Sequence, residues 1–421
     1  MYKLAWRNIW RNRRRAVITM GSVFFAAFFC ILMTSFNEGT WEVMIDNSLR
    51  TQTGHIQIHG RGYWDDRVVD NFMIMDVRQI DAISRIGNVE NVSPRLETFA
   101  MASFGSVSKG IAVIGISPEK EAQKSNLPSH IVQGEYLSET DDGILIGKGL
   151  SKYLNVNIDD TLALIGQGYH GASAAQLFVV RGILSFVMFD MDYGIAYITL
   201  PTAQQFIDMP DGYSGILISI KDNNLLYETM NMVSSQLSVE SGRFPEVDGK
   251  ENENNELKTE NYDIYSWHFT MERLLKSAES DKAFSLILMY ILYLIVGFGI
   301  LGTVIMMTNE RRREFCMMIS LGMTRMKLVA VISVELTAMS LMGLILALGV
   351  TVPVAHWFAA HPIKISGEMA DMFISYGMDP IMPMSVHPSI FTTQIMTVLL
   401  IALLAMIYPL NKILRLKINK K

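Results

Sequence analysis

The sequence predicts an α-helical membrane protein with four transmembrane helices and a large α+β extracytoplasmic domain inserted between the first and second helices. Half of the 421 residues are apolar, and these gather in four long runs flanked unevenly by basic residues. Each run can cross a hydrocarbon core of about 30 Å, which takes roughly 20 helical residues. We assign the transmembrane helices to residues 16–36, 283–307, 328–358 and 388–410.

The distribution of positive charge predicts the topology. Lys and Arg cluster before the first run, between the second and third runs, and after the fourth run, whereas the loop between the third and fourth runs has Lys364 alone. Basic residues concentrate on the cytoplasmic side of bacterial membrane proteins. We therefore expect both termini to be cytoplasmic. The cytoplasmic parts are an amphipathic helix at 1–15, a loop helix at 308–327 and a tail at 411–421, and the outer parts are 37–282 and 359–387.

The segment 37–282 has the patterns of a mixed α+β domain. Residues 53–60 (TGHIQIHG) alternate apolar and polar side chains, which predicts a half-buried strand, and 77–86 has helical spacing. Further strand-like runs include 143–154 (GILIGKGLSKYL), and the polar stretch 249–261 predicts a mobile surface loop. The only cysteines, Cys30 and Cys316, offer this domain no disulfide framework.

Motifs for catalysis, nucleotide binding and metal binding are not found in the sequence. The nearest match to a P-loop, 143–149 (GILIGKG), lacks the four-residue spacer and the Ser/Thr after Lys that phosphate and magnesium binding need. His55 and His59 would lie about 13 Å apart along a strand, too far to share a metal ion. We expect no catalytic residue, metal site or cofactor on this chain, so any ATP must bind to another subunit.

The segment 308–327 (TNERRREFCMMISLGMTRMK) is the most informative stretch of the sequence. A charged start is followed by apolar residues at helical spacing from Phe315, and Gly322 marks the end. This pattern predicts a short amphipathic helix at the inner membrane face. From the residues alone, it is either a loop whose arginines set the topology or a lever that presses into a cleft on a partner protein.

A carboxylate follows in the third run. Glu335 lies about 12 Å into the helix if that helix starts at Leu328. Because a carboxylate at the membrane centre costs about 3 kcal/mol, Glu335 must have a partner or lie near the interface. We favour a position near the interface, in helical turns that extend into the cytoplasm, and we expect Pro353 to end or kink the helix near the outer face.

Together these residues resemble the FtsX/MacB-type family of ABC transporter permeases. The similarity lies in Glu310–Phe315 (ERRREF), Ser320–Arg325 (SLGMTR) and three later residues of the third run, and it extends to Leu4–Asn12, Ile144–Leu150, Phe178–Ile183 and Trp267. The resemblance implies that 308–327 is a coupling helix for an ATPase. The coupling residues it implies are Glu310, Arg311, Arg312, Arg313, Glu314, Phe315, Gly322 and Arg325, and the family-motif residues in the third helix are Glu335, Gly343 and Gly349.

Within this family, the free-standing chain with one long outer domain is most similar to the lipoprotein-releasing permease subunits. The resemblance implies a place in the bacterial plasma membrane, that is, the cell inner membrane. It also implies a separate cytoplasmic ABC ATPase subunit that carries ATP and magnesium, a second permease subunit forming a homo- or heterodimer, a periplasmic chaperone or adaptor protein, and a lipoprotein substrate, with no nucleic acid.

The resemblance further implies that the first spans of two subunits line a substrate cavity. Phe24, Phe28, Leu32 and Met33 would form its apolar, deformable wall. Two other functions stay open at this stage. One is the drive of an adaptor-dependent efflux system for peptides or drugs, and the other is a membrane scaffold that regulates a cell-wall hydrolase.

Overall fold

The computed structural model describes residues 10–11, 13–125, 127–186, 189–239, 256–259, 261–367, 370 and 381–414. The chain divides into two compact units. The membrane unit takes its described residues from 1–43, 277–364 and 381–421, and the second unit, the large domain, takes its described residues from 44–276 and 365–380. The predicted helix 1–15, loop 249–261, outer loop 359–387 and tail 411–421 lie partly outside the described residues.

Four of the described helices are very long, and the others are short. In chain order they are α1 (Arg13–Ser48), α2 (Val77–Ser84), α3 (Pro118–Ser125), α4 (Lys148–Leu154), α5 (Phe189–Gly194), α6 (Leu200–Phe206), α7 (Leu226–Val239), α8 (Trp267–Thr270), α9 (Glu272–Glu310), α10 (Arg312–Ser320), α11 (Arg325–Ala360) and α12 (Pro388–Leu414).

The strands belong mostly to the large domain. In chain order they are β1 (Ile56–Gly60), β2 (Met73–Ile74), β3 (Val89–Phe104), β4 (Val107–Ile116), β5 (Ile131–Gly134), β6 (Ile144–Gly147), β7 (Thr161–Gln167), β8 (Ser173–Leu184), β9 (Ile195–Thr199), β10 (Gly212–Tyr213), β11 (Gly215–Ile220), β12 (Glu256–Lys258), β13 (Tyr262–Ser266), β14 (Ile363–Lys364) and β15 (Ile381–Met382).

Four helices of the described chain, α1, α9, α11 and α12, are long and apolar enough to cross a membrane. They coincide with the four predicted runs, but α1 and α9 extend well past them, to Ser48 and back to Glu272. The difference arises because only the membrane-embedded turns need apolar side chains, whereas the helix itself can continue through polar residues. Pro353 does not end its helix, since α11 continues to Ala360.

The core of the membrane unit lies mainly between α1, α11 and α12. Val23, Ala27 and Ile31 of α1 recur at helical spacing and pack with residues such as Ile332 and Leu336 of α11. The helix α9 contributes few residues to this core. Its buried apolar side chains among the described residues are Met289, Ile300 and Val304.

The large domain is built on a sheet of eleven described strands in the order β12-β13-β1-β11-β3-β4-β9-β6-β8-β5, with β7 pairing with β3 and β8. The long strand β3 takes part in two halves of this sheet. Its first residues pair with β11, and its later residues pair with β4 and β7. Two apolar cores follow this division, with Val92 of β3 in one and Leu96 in the other.

Three local predictions for the large domain are wrong in detail. The strand β1 is buried on both faces, because it lies inside the sheet between β11 and β13. The run 143–154 is not a strand throughout, since β6 is followed directly by α4. Within the predicted mobile loop, Glu256–Lys258 forms β12, which pairs with β13.

Candidate functional site

The candidate site is the short helix α10, which connects two of the long membrane helices. Arg311 interrupts the helical path after α9, and Gly322 ends the following segment with a φ of +93°, a conformation that favours glycine. Thr324 then caps α11, because its side chain accepts a hydrogen bond from the Lys327 amide. The local sequence therefore produces a separate helix between two breaks.

Arg311 and Glu335 form a buried ion pair at the root of this helix. Arg311 Nη1 donates to both carboxylate oxygens of Glu335 at 2.8 Å, and each side chain is only 3% exposed. The pair joins the residue before α10 to α11. Of the two alternatives for Glu335, the structure shows the one with a partner, which the sequence could not supply because Arg311 lies 24 residues away.

Glu314 extends this network to the start of α1. It accepts from Arg311 Nε at 3.2 Å and from Arg11 Nη2 at 2.9 Å. Phe315 is buried against the membrane core, with the Arg311 guanidinium 5.7 Å from its ring centroid. Three of the predicted coupling residues, Arg311, Glu314 and Phe315, thus hold α10 to the rest of its own chain.

The opposite surface of α10, the turn after it and the first turn of α11 are exposed. Arg312, Arg313 and Arg325 are exposed there. Three large apolar side chains share this surface, and they are the residues that sequence reasoning missed: Met317 is 61% exposed, Leu321 87% and Met326 69%. The sequence pattern could have identified them, because these three apolar residues do not share the helical spacing of the buried face that begins at Phe315. We call the six residues the exposed tip.

The family-motif glycines of α11 differ from each other. A Cβ added at Gly343 would lie 2.7 Å from the Met20 carbonyl oxygen, so this glycine permits close packing of α11 on α1. Gly349 has nothing within 4 Å of the same position and is exposed. Nothing in the structure explains Gly349.

The four residues predicted to line a cavity, Phe24, Phe28, Leu32 and Met33, are all half-buried on α1. Phe24 packs against the membrane core and stacks on Phe28, with ring centroids 5.8 Å apart. The most exposed aromatic residues of this stretch are instead Phe25 and Phe29, at 57% and 52%.

The run that comes closest to a P-loop is an ordinary strand-helix junction. At the start of α4, the Gly149 amide donates to Asp192 Oδ2 at 2.7 Å, so a carboxylate of this chain already accepts from this helix start.

Among the described residues, no group of three or more His, Cys, Asp or Glu side chains could hold a metal ion. His59 is buried in β1, where its Nδ1 lies 2.7 Å from the Ser214 carbonyl oxygen and burial lowers the pKa of its ring to about 4. Trp267 begins α8, and its Nε1 donates to Asn223 Oδ1 at 3.1 Å.

Two family models match the chain. The MacB-like periplasmic core domain matches residues 16–235, and the FtsX-like permease C-terminal model matches residues 286–418. The lipoprotein-releasing system transmembrane protein LolE of Haemophilus influenzae is 22% identical over 240 residues. That match covers 56% of this chain and 53% of LolE, so the chain spans about half the length of this relative.

Solved structures of the outer domains of two transporters match this chain with low sequence identity and low TM-scores. The periplasmic region of MacB from Actinobacillus actinomycetemcomitans is 15% identical with a TM-score of 0.37, over 55% of this chain and 98% of that region. The extracellular domain of the transporter YknZ from Gram-positive bacteria is 12% identical with a TM-score of 0.35, over 45% of this chain and 96% of that domain.

The first family model alone covers more than half of the chain, and the second begins within the second long helix and includes α10 and its ion pair. The chain therefore belongs to the FtsX/MacB-type family of ABC transporter permeases.

Proposed function

We propose that this chain is the membrane subunit of an ATP-driven transporter in which a separate cytoplasmic ATPase grips the exposed tip of α10. The observation that carries the proposal is the division of α10 into two faces. One face buries Phe315 next to the Arg311–Glu335 pair at the start of the helix, and the other presents apolar and cationic side chains to a partner.

The ion pairs at the root of α10 give it the connections that transmission needs. A displacement of α10 pulls on Glu335 in α11 through Arg311, and on Arg11, next to the start of α1, through Glu314. The Arg311–Glu335 contact is buried, so separating it exposes an unpaired charge to an apolar environment. The work comes from the higher affinity of ATP for one state of the ATPase pair.

The exposed tip indicates the chemistry of the cleft that receives it. Met317, Leu321 and Met326 fit an apolar pocket, and Arg312 and Arg313 fit acidic residues at its rim. Flexible methionine side chains adapt to pockets of irregular shape. In this proposal ATP and magnesium bind to the ATPase, both termini of the permease are cytoplasmic, and the large domain lies outside the bacterial plasma membrane.

The substrate we propose is a lipoprotein released from the outer leaflet of the inner membrane. The similarity to LolE supports this substrate class, as does the row of Phe side chains on α1, which offers an apolar wall to acyl chains. A second permease subunit completes the cavity, and a periplasmic chaperone or adaptor receives the product.

The exposed tip is tested by Leu321→Ser in the full-length chain. Because Leu321 is 87% exposed, the substitution removes little packing within the chain, and we expect it to weaken co-purification with a P-loop ATPase about tenfold. The matched control is Val132→Ser, which changes an exposed apolar residue of the large domain. Equal ATPase recovery for Leu321→Ser and the unmodified chain would contradict the assignment.

The substrate is tested by purifying the complex in native lipid and identifying the bound species by mass spectrometry. A co-purified triacylated lipoprotein supports lipoprotein release. An adaptor with a peptide or drug favours efflux, and a cell-wall hydrolase favours a regulatory scaffold, so either of these outcomes overturns the proposed substrate.

A further inference from the structure

The facing surfaces of α1 and α9 carry a row of hydrogen-bonded polar side chains that the proposed function does not use. Asn37 Nδ2 donates to Asp281 Oδ2 at 2.8 Å and to Ser285 Oγ at 3.1 Å. Trp41 Nε1 donates to the same Asp281 oxygen at 2.9 Å. One carboxylate oxygen of α9 therefore accepts from two successive turns of α1.

The row continues into the apolar part of the helices and reaches α12. Thr34 Oγ1 lies 3.1 Å from Met289 Sδ, and Gln394 Nε2 donates to Thr34 Oγ1 at 3.0 Å. The Tyr293 hydroxyl donates to Gln394 Oε1. Gln394 is 2% exposed. Its side-chain nitrogen bonds to α1, and its side-chain oxygen accepts from α9.

The spacing of these residues puts each set on one side of its helix. Positions 34, 37 and 41 on α1, and 281, 285, 289 and 293 on α9, are three or four residues apart. The helices run in opposite directions, so the numbers rise on one as they fall on the other. We call this set of residues the polar seam: Thr34, Asn37, Trp41, Asp281, Ser285, Met289, Tyr293 and Gln394.

Apolar packing at the same level is thin. On α9, Ile287, Ile291 and Leu294 are 57%, 53% and 59% exposed, and the buried Ile300 and Val304 come after the seam. Hydrogen bonds and close packing hold helices together in lipid. Thr34, Ser285, Tyr293 and Gln394 lie within the predicted spans, where polar groups that lose their partners are left in hydrocarbon, whereas Asn37, Trp41 and Asp281 lie just beyond them. Around the middle of this half of α9, the hydrogen bonds of the polar seam and the buried Met289 therefore attach the helix to α1 and α12.

The segment that precedes α12 also binds this part of α1. The Ser385 amide donates to the Ser35 carbonyl oxygen at 2.8 Å, and the Ser35 hydroxyl donates back to the Ser385 carbonyl oxygen. A Cβ at Gly39 would lie 2.5 Å from the Ser385 amide nitrogen, so the glycine lets the segment before α12 cross α1.

We propose that the polar seam locks the C-terminal half of α1 and the N-terminal half of α9 into one rigid two-helix body tied to the start of α12. Any motion that reaches α1 then reaches α9 as well. This inference rests on the seam contacts and not on the proposed function.

The lock is tested by measuring a distance between spin labels on the two helices. Labels are attached at Glu42→Cys and Lys282→Cys, both exposed positions, in the full-length Cys30→Ser, Cys316→Ser chain in lipid nanodiscs. We expect one narrow distance distribution with the native seam. Asp281→Ala removes the shared acceptor, and the distribution should widen about twofold.

Two further variants separate the lock from a general loss of folding. Asp281→Asn keeps an acceptor oxygen and should restore the narrow distribution, and Glu279→Ala removes an exposed carboxylate of the same helix and should leave it unchanged. A broad distribution with the native seam overturns the lock, and so does a narrow one in Asp281→Ala.

The rigid body is tested further in the complex with the ATPase. The label distance should be the same in the nucleotide-free and ATP-bound states, and a shift between them overturns the proposal. Failure of the chain to bind an ATPase would count against the proposed function alone, because the distances in the isolated chain still decide the lock.

Discussion

Gly343 of α11 lies directly against the backbone of Met20 in α1. A Cβ at this glycine would lie 2.7 Å from the Met20 carbonyl oxygen and 3.0 Å from Val23 Cβ. Because a backbone carbonyl cannot rotate away as a flexible side chain can, a larger residue must push the two helices apart. The contact explains why this position of the third membrane helix is a glycine.

We predict that Gly343→Leu lowers the free energy of unfolding by about 1–3 kcal/mol, the usual cost of overpacking. Thermal unfolding of the purified chain in detergent measures the effect. Gly349→Ala is the matched control on the same helix, since nothing lies within 4 Å of its Cβ position. That control should be neutral or stabilising by up to about 1 kcal/mol, because alanine favours the helix. Similar losses for both variants would refute the packing argument.

Arg311→Met should destabilise the membrane unit by about 3–5 kcal/mol, because it leaves the Glu335 carboxylate buried without a partner. The double variant Arg311→Met, Glu335→Leu removes both charges and should regain most of this loss. Unfolding of the two variants in the same detergent provides the comparison. If the double variant is as unstable as the single one, the ion pair is not the cause.

Lys124→Met should stabilise the large domain by about 1–3 kcal/mol, since a buried amine without a hydrogen bond is costly. Lys124 Nζ is enclosed and has no hydrogen-bond partner among the described residues, although its carbon chain is partly exposed. Burial, and then the nearby Arg95, lower the pKa of Lys124 to about 7. Chemical denaturation at neutral pH measures the gain.

The same lysine predicts a pH dependence with a definite sign. Between about pH 7 and 10.5 the unfolded chain holds a proton that the folded chain has released, so the stability of the unmodified protein should rise with pH across this window. The slope should be at most about 1.4 kcal/mol per pH unit. In Lys124→Met the slope should be smaller, and an unchanged slope would show that another group titrates.

Glu121 predicts a loss of stability at acid pH. Its carboxylate accepts from Arg95 Nη2 at 2.6 Å, and the two side chains are 1% and 4% exposed. Burial acts to raise the pKa of Glu121, but the charges of Arg95 and Lys124 and the hydrogen bonds from Arg95 and Ser125 together hold the pKa below its usual value. Stability from this pair is therefore present above the ordinary carboxyl pKa and lost as the pH falls. Glu121→Gln should weaken the acid dependence seen in denaturation curves.

The four membrane helices and α10 could be predicted from the sequence, because they depend on local patterns. Long apolar runs mark the spans, and helical spacing from Phe315 followed by Gly322 marks α10. The wrong assignment of 148–154 has a local cause as well, since short apolar runs with glycine fit a strand or a helix equally.

The contacts of the site could not be predicted, because they join residues far apart in the chain. Nothing in the pattern of 308–327 distinguishes Arg311, which is buried on Glu335, from Arg312, which is exposed. The polar seam was hidden for the same reason. Asn37 and Asp281 lie 244 residues apart, and each looks like an ordinary polar residue beside an apolar run.

The strand β3 has a mechanical consequence for the large domain. Sixteen consecutive residues, Val89–Phe104, run through both halves of the sheet, so the two apolar cores share one covalent chain. A tensile load applied to one half is transmitted through peptide bonds and not only through side-chain contacts, which yield at much lower force. The two halves of the sheet should therefore extend and relax together under load.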